Sequence, residues 1–182
     1  MAEVTSIYDR FTALANRALV AARDAAGSMG NDFIGTEHLV IGLAQTAGRA
    51  GEVLRAHGVE LNRLRLETER ALDARGVPAT HGATAREALA TLGIDIGDVQ
   101  RRADASFGAG AFQFPRPAFS LAAKRAIKAA LETAKDHGDV QIDTEHLLLG
   151  VLASGDDPAL RCLRIHGVDP GELLRDLAEP ER

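Results

Sequence analysis

The chain has 182 residues and a formal net charge of −5, and 46% of its residues are hydrophobic although only 4% are aromatic. Ala and Leu, two of the best helix formers, occupy 55 positions, a composition that favours an all-α fold over a β-sandwich or barrel. The acidic balance makes nucleic acid a poor partner, and the length allows one large or two small domains.

The cysteine content and the N-terminus limit the class of protein further. Cys162 is the only cysteine, which excludes an intrachain disulfide and a cysteine-based zinc site. The polar start of the chain has no apolar run typical of a signal peptide, and no stretch approaches the ~18 apolar residues of a membrane span. These features predict a cytoplasmic protein without a membrane partner.

The chain contains an internal duplication. Residues 11–44 align without a gap with residues 119–152, and 14 of the 34 pairs are identical. After one inserted residue the match resumes where His57-Gly58-Val59 meets His166-Gly167-Val168. We therefore predict an N-terminal segment at 1–10, a first repeat at 11–75, a linker region at 76–117 and a second repeat at 118–182.

Each copy has the sequence pattern of four short helices. In the first copy they are expected at about Thr12–Ser28, from Thr36 onward, at about Arg49–His57 and at about Leu61–Ala74. Alanines at three- and four-residue spacings give the first helix a narrow apolar stripe, and Gly30 and Gly58 are suited to ending helices. The Thr36 hydroxyl is predicted to cap the second helix, and the Glu37 carboxylate to lie where the helix dipole favours negative charge. In the second copy Asp169-Pro170 marks the start of the fourth helix.

The segment between the copies is predicted to hold a further helical pair. Residues 87–102 repeat the pattern of a Gly, a β-branched residue and an acidic residue that joins the last two helices of each copy. The linkers proper are expected at Gly76–Ala83 and Gly108–Pro117, which are rich in Gly, Pro and Ala. The predicted architecture is thus two pseudo-twofold-related four-helix repeats with an inserted helical pair.

The chain lacks the local signatures of common catalytic and cofactor sites. It has no Gly-Lys pair for a phosphate-binding loop, and no G-x-S-x-G, Gly-rich dinucleotide or H-E-x-x-H motif. Adjacent helical residues project about 100° apart, so Glu37 and His38 cannot hold one metal ion from one helix. His57 and His166 are expected to contact helix C-termini, and Cys162 to be a small core residue. Neither a metal nor a cofactor is expected.

Two ten-residue segments carry a family resemblance. Ile34–Leu43 has the sequence IGTEHLVIGL, and Ile142–Val151 has the sequence IDTEHLLLGV. With Tyr8-Asp9-Arg10-Phe11-Thr12 and Phe119-Ser120 at the openings of the copies, they resemble the Clp repeat, the duplicated N-terminal domain of bacterial Clp ATPase chaperones, especially of the ClpC type. The long middle segment and the missing ATPase motifs make the chain similar to a stand-alone Clp N-domain protein. The resemblance implies a non-enzymatic module that binds substrates or adaptors of the Clp proteolysis system.

The same resemblance implies a phosphoarginine site at each T-E-H motif, Thr36-Glu37-His38 and Thr144-Glu145-His146. Glu37 and Glu145 would pair with the ligand guanidinium, and Thr36 and Thr144 would lie beside the phosphate. A helix N-terminus with a carboxylate in its first turn suits a ligand that is cationic at one end and anionic at the other. From the residues alone, the alternative is that Thr36 and Glu37 only cap the helix.

Both copies depart from the family pattern near these motifs. Asp143 replaces the usual glycine before the second motif, and Asn31 and Asp139 stand where the family has a basic residue. Negative charge near a phosphate weakens its binding. We therefore predict that the first site binds phosphoarginine better than the second.

A second surface of the family accepts hydrophobic peptides, adaptors and cyclic peptide antibiotics near the starts of the two first helices. The matching residues here are Tyr8, Phe119 and Lys124. Aromatic residues are typical binding anchors. The alternative is that Phe119 belongs to the core and Tyr8 only to the chain terminus.

The expected partners are arginine-phosphorylated or unfolded proteins and a Clp ATPase or adaptor. The chain would deliver substrates to a separate Clp machine or sequester ligands from it. Two other interpretations stay open. One is a small hydrolase, which requires the Glu37 and Glu145 carboxylates in one cleft within ~10 Å of each other. The other is a fragment of a longer Clp ATPase.

Overall fold

The computed structural model describes residues 7–75, 89–108, 117–155 and 158–178. The first copy comprises α1 (Ala13–Ser28), β1 (Phe33–Ile34), α2 (Thr36–Gln45), α3 (Arg49–Ala56) and α4 (Leu61–Ala74), after a 3-10 turn at Ile7–Arg10. The second copy comprises β2 (Ala118–Phe119), α6 (Leu121–His137), α7 (Thr144–Leu152), α8 (Pro158–Ile165) and α9 (Pro170–Ala178), and α5 (Ile96–Phe107) lies between the copies. The predicted all-α fold of two four-helix repeats is confirmed.

The first helix of each copy packs through alanine. The buried residues of α6 are all alanines, and those of α1 are alanines with one leucine. This small surface lets the second helix approach closely, at Gly42 in α2 and Gly150 in α7. A Cβ added at either glycine would lie 2.2 Å from a carbonyl oxygen, that of Ala18 or that of Ala126. The abundance of alanine thus has a structural cause, since backbones this close leave no room for larger side chains.

The second helices, α2 and α7, form the centre of the molecule. Every residue of α2 from Thr36 to Ala44 is buried. The helix α1 covers one side of α2, and α6 covers α7 in the same way. The remaining helices cross between copies, since α8 packs on α2 and α4, while α3 packs on α7 and α9. The buried apolar residues of both copies therefore form one continuous core.

The two copies also exchange short parallel backbone pairings. Phe33 and Ile34 of β1 pair with Ala118 and Phe119 of β2. The matching bridge joins Phe11 to Ile142. Equivalent hydrogen bonds of 3.0 Å run from the Thr12 N–H to the Ile142 carbonyl and from the Ser120 N–H to the Ile34 carbonyl. Each first helix therefore starts on the chain that leads into the other copy's second helix.

The inserted segment forms the predicted helix but lies off the core. Asp95 caps α5 by accepting hydrogen bonds from the N–H groups of Gly97 and Asp98. No residue of α5 is buried, and the side chains of Leu92 and Phe107 are 74% and 83% exposed. Of the preceding helix, residues 89–91 are described. The linker predicted at 76–83, and most of the one at 108–117, fall outside the described residues.

Candidate functional site

The T-E-H helices begin at the threonines, and each helix is capped by the residue before its threonine. The N-cap residues are Gly35 for α2 and Asp143 for α7, both with extended backbone, and Thr36 and Thr144 are the first helical residues. The prediction that Thr36 is the cap is wrong, because Gly35 occupies the N-cap position. Thr36 Oγ1 instead lies 3.4 Å from Glu37 Oε2, and Thr144 Oγ1 lies 3.4 Å from Glu145 Oε2.

The histidines of the motifs tie these helix starts to the preceding loops. His38 Nδ1 accepts a hydrogen bond from the Gly35 N–H, and His146 Nδ1 accepts one from the Asp143 N–H, each at 3.0 Å. Nδ1 is thus an acceptor, so Nε2 carries the proton and faces Asn31 Oδ1 in the first copy, at 3.1 Å. In the second copy it faces Asp139 Oδ2 at the same distance. The histidine therefore acts as the third-position partner of a capping box.

This role of the histidines was missing from the sequence interpretation. The signal was available, since His38 and His146 stand three residues after the N-cap, where glutamate usually serves. Burial lowers the pKa of His38 to about 4, which keeps the ring neutral and Nδ1 available as an acceptor.

One cluster of possible metal ligands occurs among the described residues. The ligand atoms of His137, Asp139 and His146 lie within 4.8 Å of one another. A metal ion at His146 Nε2 would require the ring proton on Nδ1, where it would point at the Asp143 N–H. Metal-ligating histidines instead donate from their second nitrogen. The hydrogen bond from the Asp143 N–H to His146 Nδ1 therefore disfavours a metal ion at this cluster.

The two motif glutamates lie in different surroundings. Glu37 is only 3% exposed. Its carboxylate folds back onto the turn before α2. It lies so close to Gly35 that a Cβ built there would be 2.3 Å from Glu37 Oε1. Glu145 is partly exposed. Thr36 and Thr144 are both buried. The structure thus gives the second glutamate, not the first, direct access to solvent.

Asp143 is the source of a second difference between the copies. Its Oδ1 accepts a hydrogen bond from the Thr144 N–H at 2.6 Å and one from the Thr12 hydroxyl at 2.9 Å. Thr12 also caps α1, by accepting from the Ala15 N–H at 3.1 Å. Gly35 offers no side chain to α2. A carboxylate therefore sits at the start of α7 and links it to the first helix of the other copy.

Two residues of the predicted peptide-binding surface lie close together in the chain, Phe119 in β2 and Lys124 in the first turn of α6. Phe119 is half-buried and packs against the core, in keeping with the core alternative, and Lys124 is exposed on α6. The side chain of Tyr8 is outside the described part of the structure, which gives only its backbone in the 3-10 turn. Two surface grooves, of about 490 and 540 Å³, are lined by other residues than these three or the motif glutamates.

The other residues named in the sequence analysis, His57, His166 and Cys162, contact neighbouring side chains or backbone groups. His57 is the C-cap residue of α3, and its Nε2 also contacts Asp176 Oδ2 of α9 at 2.7 Å. The His166 ring does contact a C-terminal carbonyl, that of Cys162, at 3.1 Å. Cys162 is buried beside Thr68, and burial raises the pKa of its thiol. The prediction that Cys162 is a small core residue is confirmed.

The comparison with known proteins assigns this arrangement to a family. A family model described as the Clp repeat (R) N-terminal domain matches residues 10–84 and 75–166. The chain belongs to the Clp repeat N-terminal domain family. This Clp N-domain resembles chaperone protein ClpC1, chloroplastic, of Oryza sativa subsp. japonica, with 30% identity over 171 residues, or 93% of the chain. The ClpA homolog, chloroplastic, of Brassica napus matches equally well.

The Clp N-domain covers only part of these relatives. It spans 15% of the length of the rice protein and 16% of that of the Brassica napus protein. Both are named as chloroplastic, and the compartment of this chain stays a prediction. Among the described helices, none combines the length and apolar character needed to cross a bilayer.

Solved structures support the fold. The N-terminal domain of the chaperone ClpD from Arabidopsis thaliana matches with a TM-score of 0.64 and 21% identity over 96% of both chains. The Hsp104 N-terminal domain from Candida albicans matches with a TM-score of 0.53 and 14% identity, covering 93% of this chain and 89% of that one. The architecture of the Clp N-domain is consistent with a protein-binding module.

Proposed function

We propose that this chain binds proteins for the Clp proteolysis system, recognising arginine-phosphorylated or unfolded substrates or a Clp adaptor. Family membership carries this proposal. The buried starts of α2 and α7 support it, because they bring a carboxylate and a helix N-terminus together twice in one chain. That combination suits a side chain that is cationic at one end and anionic at the other.

The proposed phosphoarginine residues are Thr36 and Glu37 in the first copy and Thr144 and Glu145 in the second. At the first site the Glu37 carboxylate must leave its position over Gly35 to meet a guanidinium. A charge-assisted, bidentate pair with the ligand would offset that movement. At the second site Glu145 is already partly exposed, but Asp143 adds a negative charge at the helix start. Solvent access therefore favours the second site, whereas the negative charge of Asp143 favours phosphate binding at the first site.

A hydrophobic peptide or a cyclic peptide antibiotic is proposed to bind at Tyr8, Phe119 and Lys124. The support is that Phe119 is only half-buried, whereas its counterpart Phe11 is 5% exposed. Lys124 lies in the first turn of α6, the helix that follows Phe119, and its side chain is exposed. An aromatic edge beside a cation suits peptides that carry apolar and acidic residues.

The test is capture of an arginine-phosphorylated protein by the immobilised chain, compared with the same protein after removal of the phosphate. Retention of the phosphorylated form alone is expected. Glu37→Gln should reduce it, whereas Glu52→Gln, at an exposed glutamate of α3, should not. Equal retention with and without phosphate would contradict the phosphoarginine specificity. Recovery of Clp ATPase subunits from lysate would favour delivery over sequestration.

A further inference from the structure

The two T-E-H helices start from nearly the same backbone but with different side chains. The N-cap residues Gly35 and Asp143 have φ and ψ of −87° and 176°, and of −103° and −179°. The motifs that follow are identical through Leu39 and Leu147. Residues 35 and 143, together with Asn31 and Asp139 behind the histidines, therefore distinguish the two helix starts.

The space beside the N-cap residue is filled differently in the two copies. In the first copy the Glu37 carboxylate occupies the space where a Cβ on residue 35 would lie, 2.3 to 2.4 Å from its two oxygens. In the second copy Asp143 has its own side chain at this position, and Glu145 is more exposed than Glu37, although each glutamate lies 3.4 Å from the hydroxyl of its neighbouring threonine.

The Asp143 carboxylate also holds the position that a ligand anion would need. Its Oδ1 accepts from the first N–H of α7 at 2.6 Å, a donor that a phosphate bound at a helix N-terminus uses. The Thr12 hydroxyl donates to the same oxygen at 2.9 Å and keeps it there. A phosphate that binds at α7 would have to displace this carboxylate and would still be repelled by its negative charge nearby.

We propose that Asp143 is the specificity-determining residue of the pair, closing the second site to phosphoarginine so that the chain takes one equivalent, at Thr36 and Glu37. This inference rests on the proposed function, since it names which of the two proposed sites is used. In this proposal the Asp143 carboxylate accepts from the first N–H group of α7, as the ligand phosphate would accept from that of α2 at the first site.

Calorimetry with free phosphoarginine tests the proposal by stoichiometry. The unaltered chain should bind one equivalent, which Glu37→Gln removes and Glu145→Gln preserves. Asp143→Gly recreates the sequence of the first site, so the variant is expected to fold, as circular dichroism checks. It should bind two equivalents, and adding Glu145→Gln to it should return the number to one.

A reciprocal variant serves as the matched control. Gly35→Asp places the carboxylate in the first copy, where the flexible end of Glu37 can turn aside to admit it. Binding by the otherwise unaltered chain should then be lost. Two equivalents in the unaltered chain, or one in Asp143→Gly, would overturn the role of Asp143 while leaving phosphoarginine recognition in place. Absence of binding in both proteins would overturn this inference and the phosphoarginine part of the proposed function together.

Discussion

Replacing Gly42 with alanine is expected to destabilise the fold, because α1 and α2 meet there backbone to backbone. The added Cβ would lie 2.2 Å from the Ala18 carbonyl oxygen and 2.8 Å from the Ala22 nitrogen. Ordinary contacts begin near 3.4 Å, so the two helices must separate by about an ångström. Overpacking of this kind costs ~1–3 kcal/mol, and the rigid backbone on both sides places Gly42 at the upper end.

Urea unfolding followed by circular dichroism measures this loss. With an m-value of about 2 kcal/mol per molar, a loss of ~2–3 kcal/mol lowers the midpoint by roughly 1 M or more. Gly150→Ala should cost the same, since its Cβ would meet Ala126 and Ala130 at 2.2 and 2.9 Å. Equal losses are expected because the two contacts are equivalent under the internal repeat.

Gly27→Ala is the matched control. Gly27 lies in α1, and a Cβ there would meet nothing within 4 Å. Alanine in a helix is favoured over glycine by ~0.5–1 kcal/mol, so this variant should be as stable as the unaltered chain or more so. If Gly42→Ala and Gly27→Ala shifted the midpoint in the same direction, the inference that close backbone approach requires Gly42 would be refuted.

Three further predictions concern stability and reactivity. His38 has a pKa of about 4 in the folded chain and ~6.5 in the unfolded chain, so the unfolded state binds more protons between these pH values. The free energy of unfolding should therefore fall by about 3 kcal/mol when the pH is lowered from 6.5 to 4. Urea midpoints at both pH values should show a smaller fall in His38→Gln, and equal falls would contradict this. Cys162 should react with Ellman's reagent only after unfolding, since burial raises its thiol pKa, and rapid native labelling would disprove it. Thr12→Ala should cost ~1 kcal/mol more than Ser120→Ala, because both remove a cap but only Thr12 also binds Asp143, and equal urea midpoints would contradict this.

The helices and the repeat could be predicted because their signals are local. The start of α4 at Leu61 and its end at Ala74 agree with the sequence, as does the cap at Asp169, whose carboxylate accepts from the Gly171 N–H. Cap residues, left-handed glycines and apolar spacing act within a few residues of the chain. Such features can be recognised without knowledge of the tertiary fold.

The environment of the candidate sites could not be predicted in the same way. The burial of Glu37 depends on packing between the copies, since α8 lies on α2, and no local pattern specifies that contact. Threonine and glycine are about equally favourable at an N-cap, so the residue types at 35 and 36 do not decide where α2 starts. The structure places the cap at Gly35, and at Asp143 in the second copy. The local signal that distinguishes the two positions is the histidine three residues after each cap, whose Nδ1 accepts from the N–H group of the cap residue.

The cross-packing of the copies makes the chain a covalently joined dimer of one small unit. The third helix of each unit packs partly on the other unit, and the residues before each first helix pair with the other unit's chain. A single copy made alone would therefore need to find a second molecule in order to bury those surfaces. Within one chain, the segment that joins the two units only has to connect them, so core packing does not restrict its length. An extra helix such as α5, which buries none of its residues, can then be accommodated without disturbing either unit.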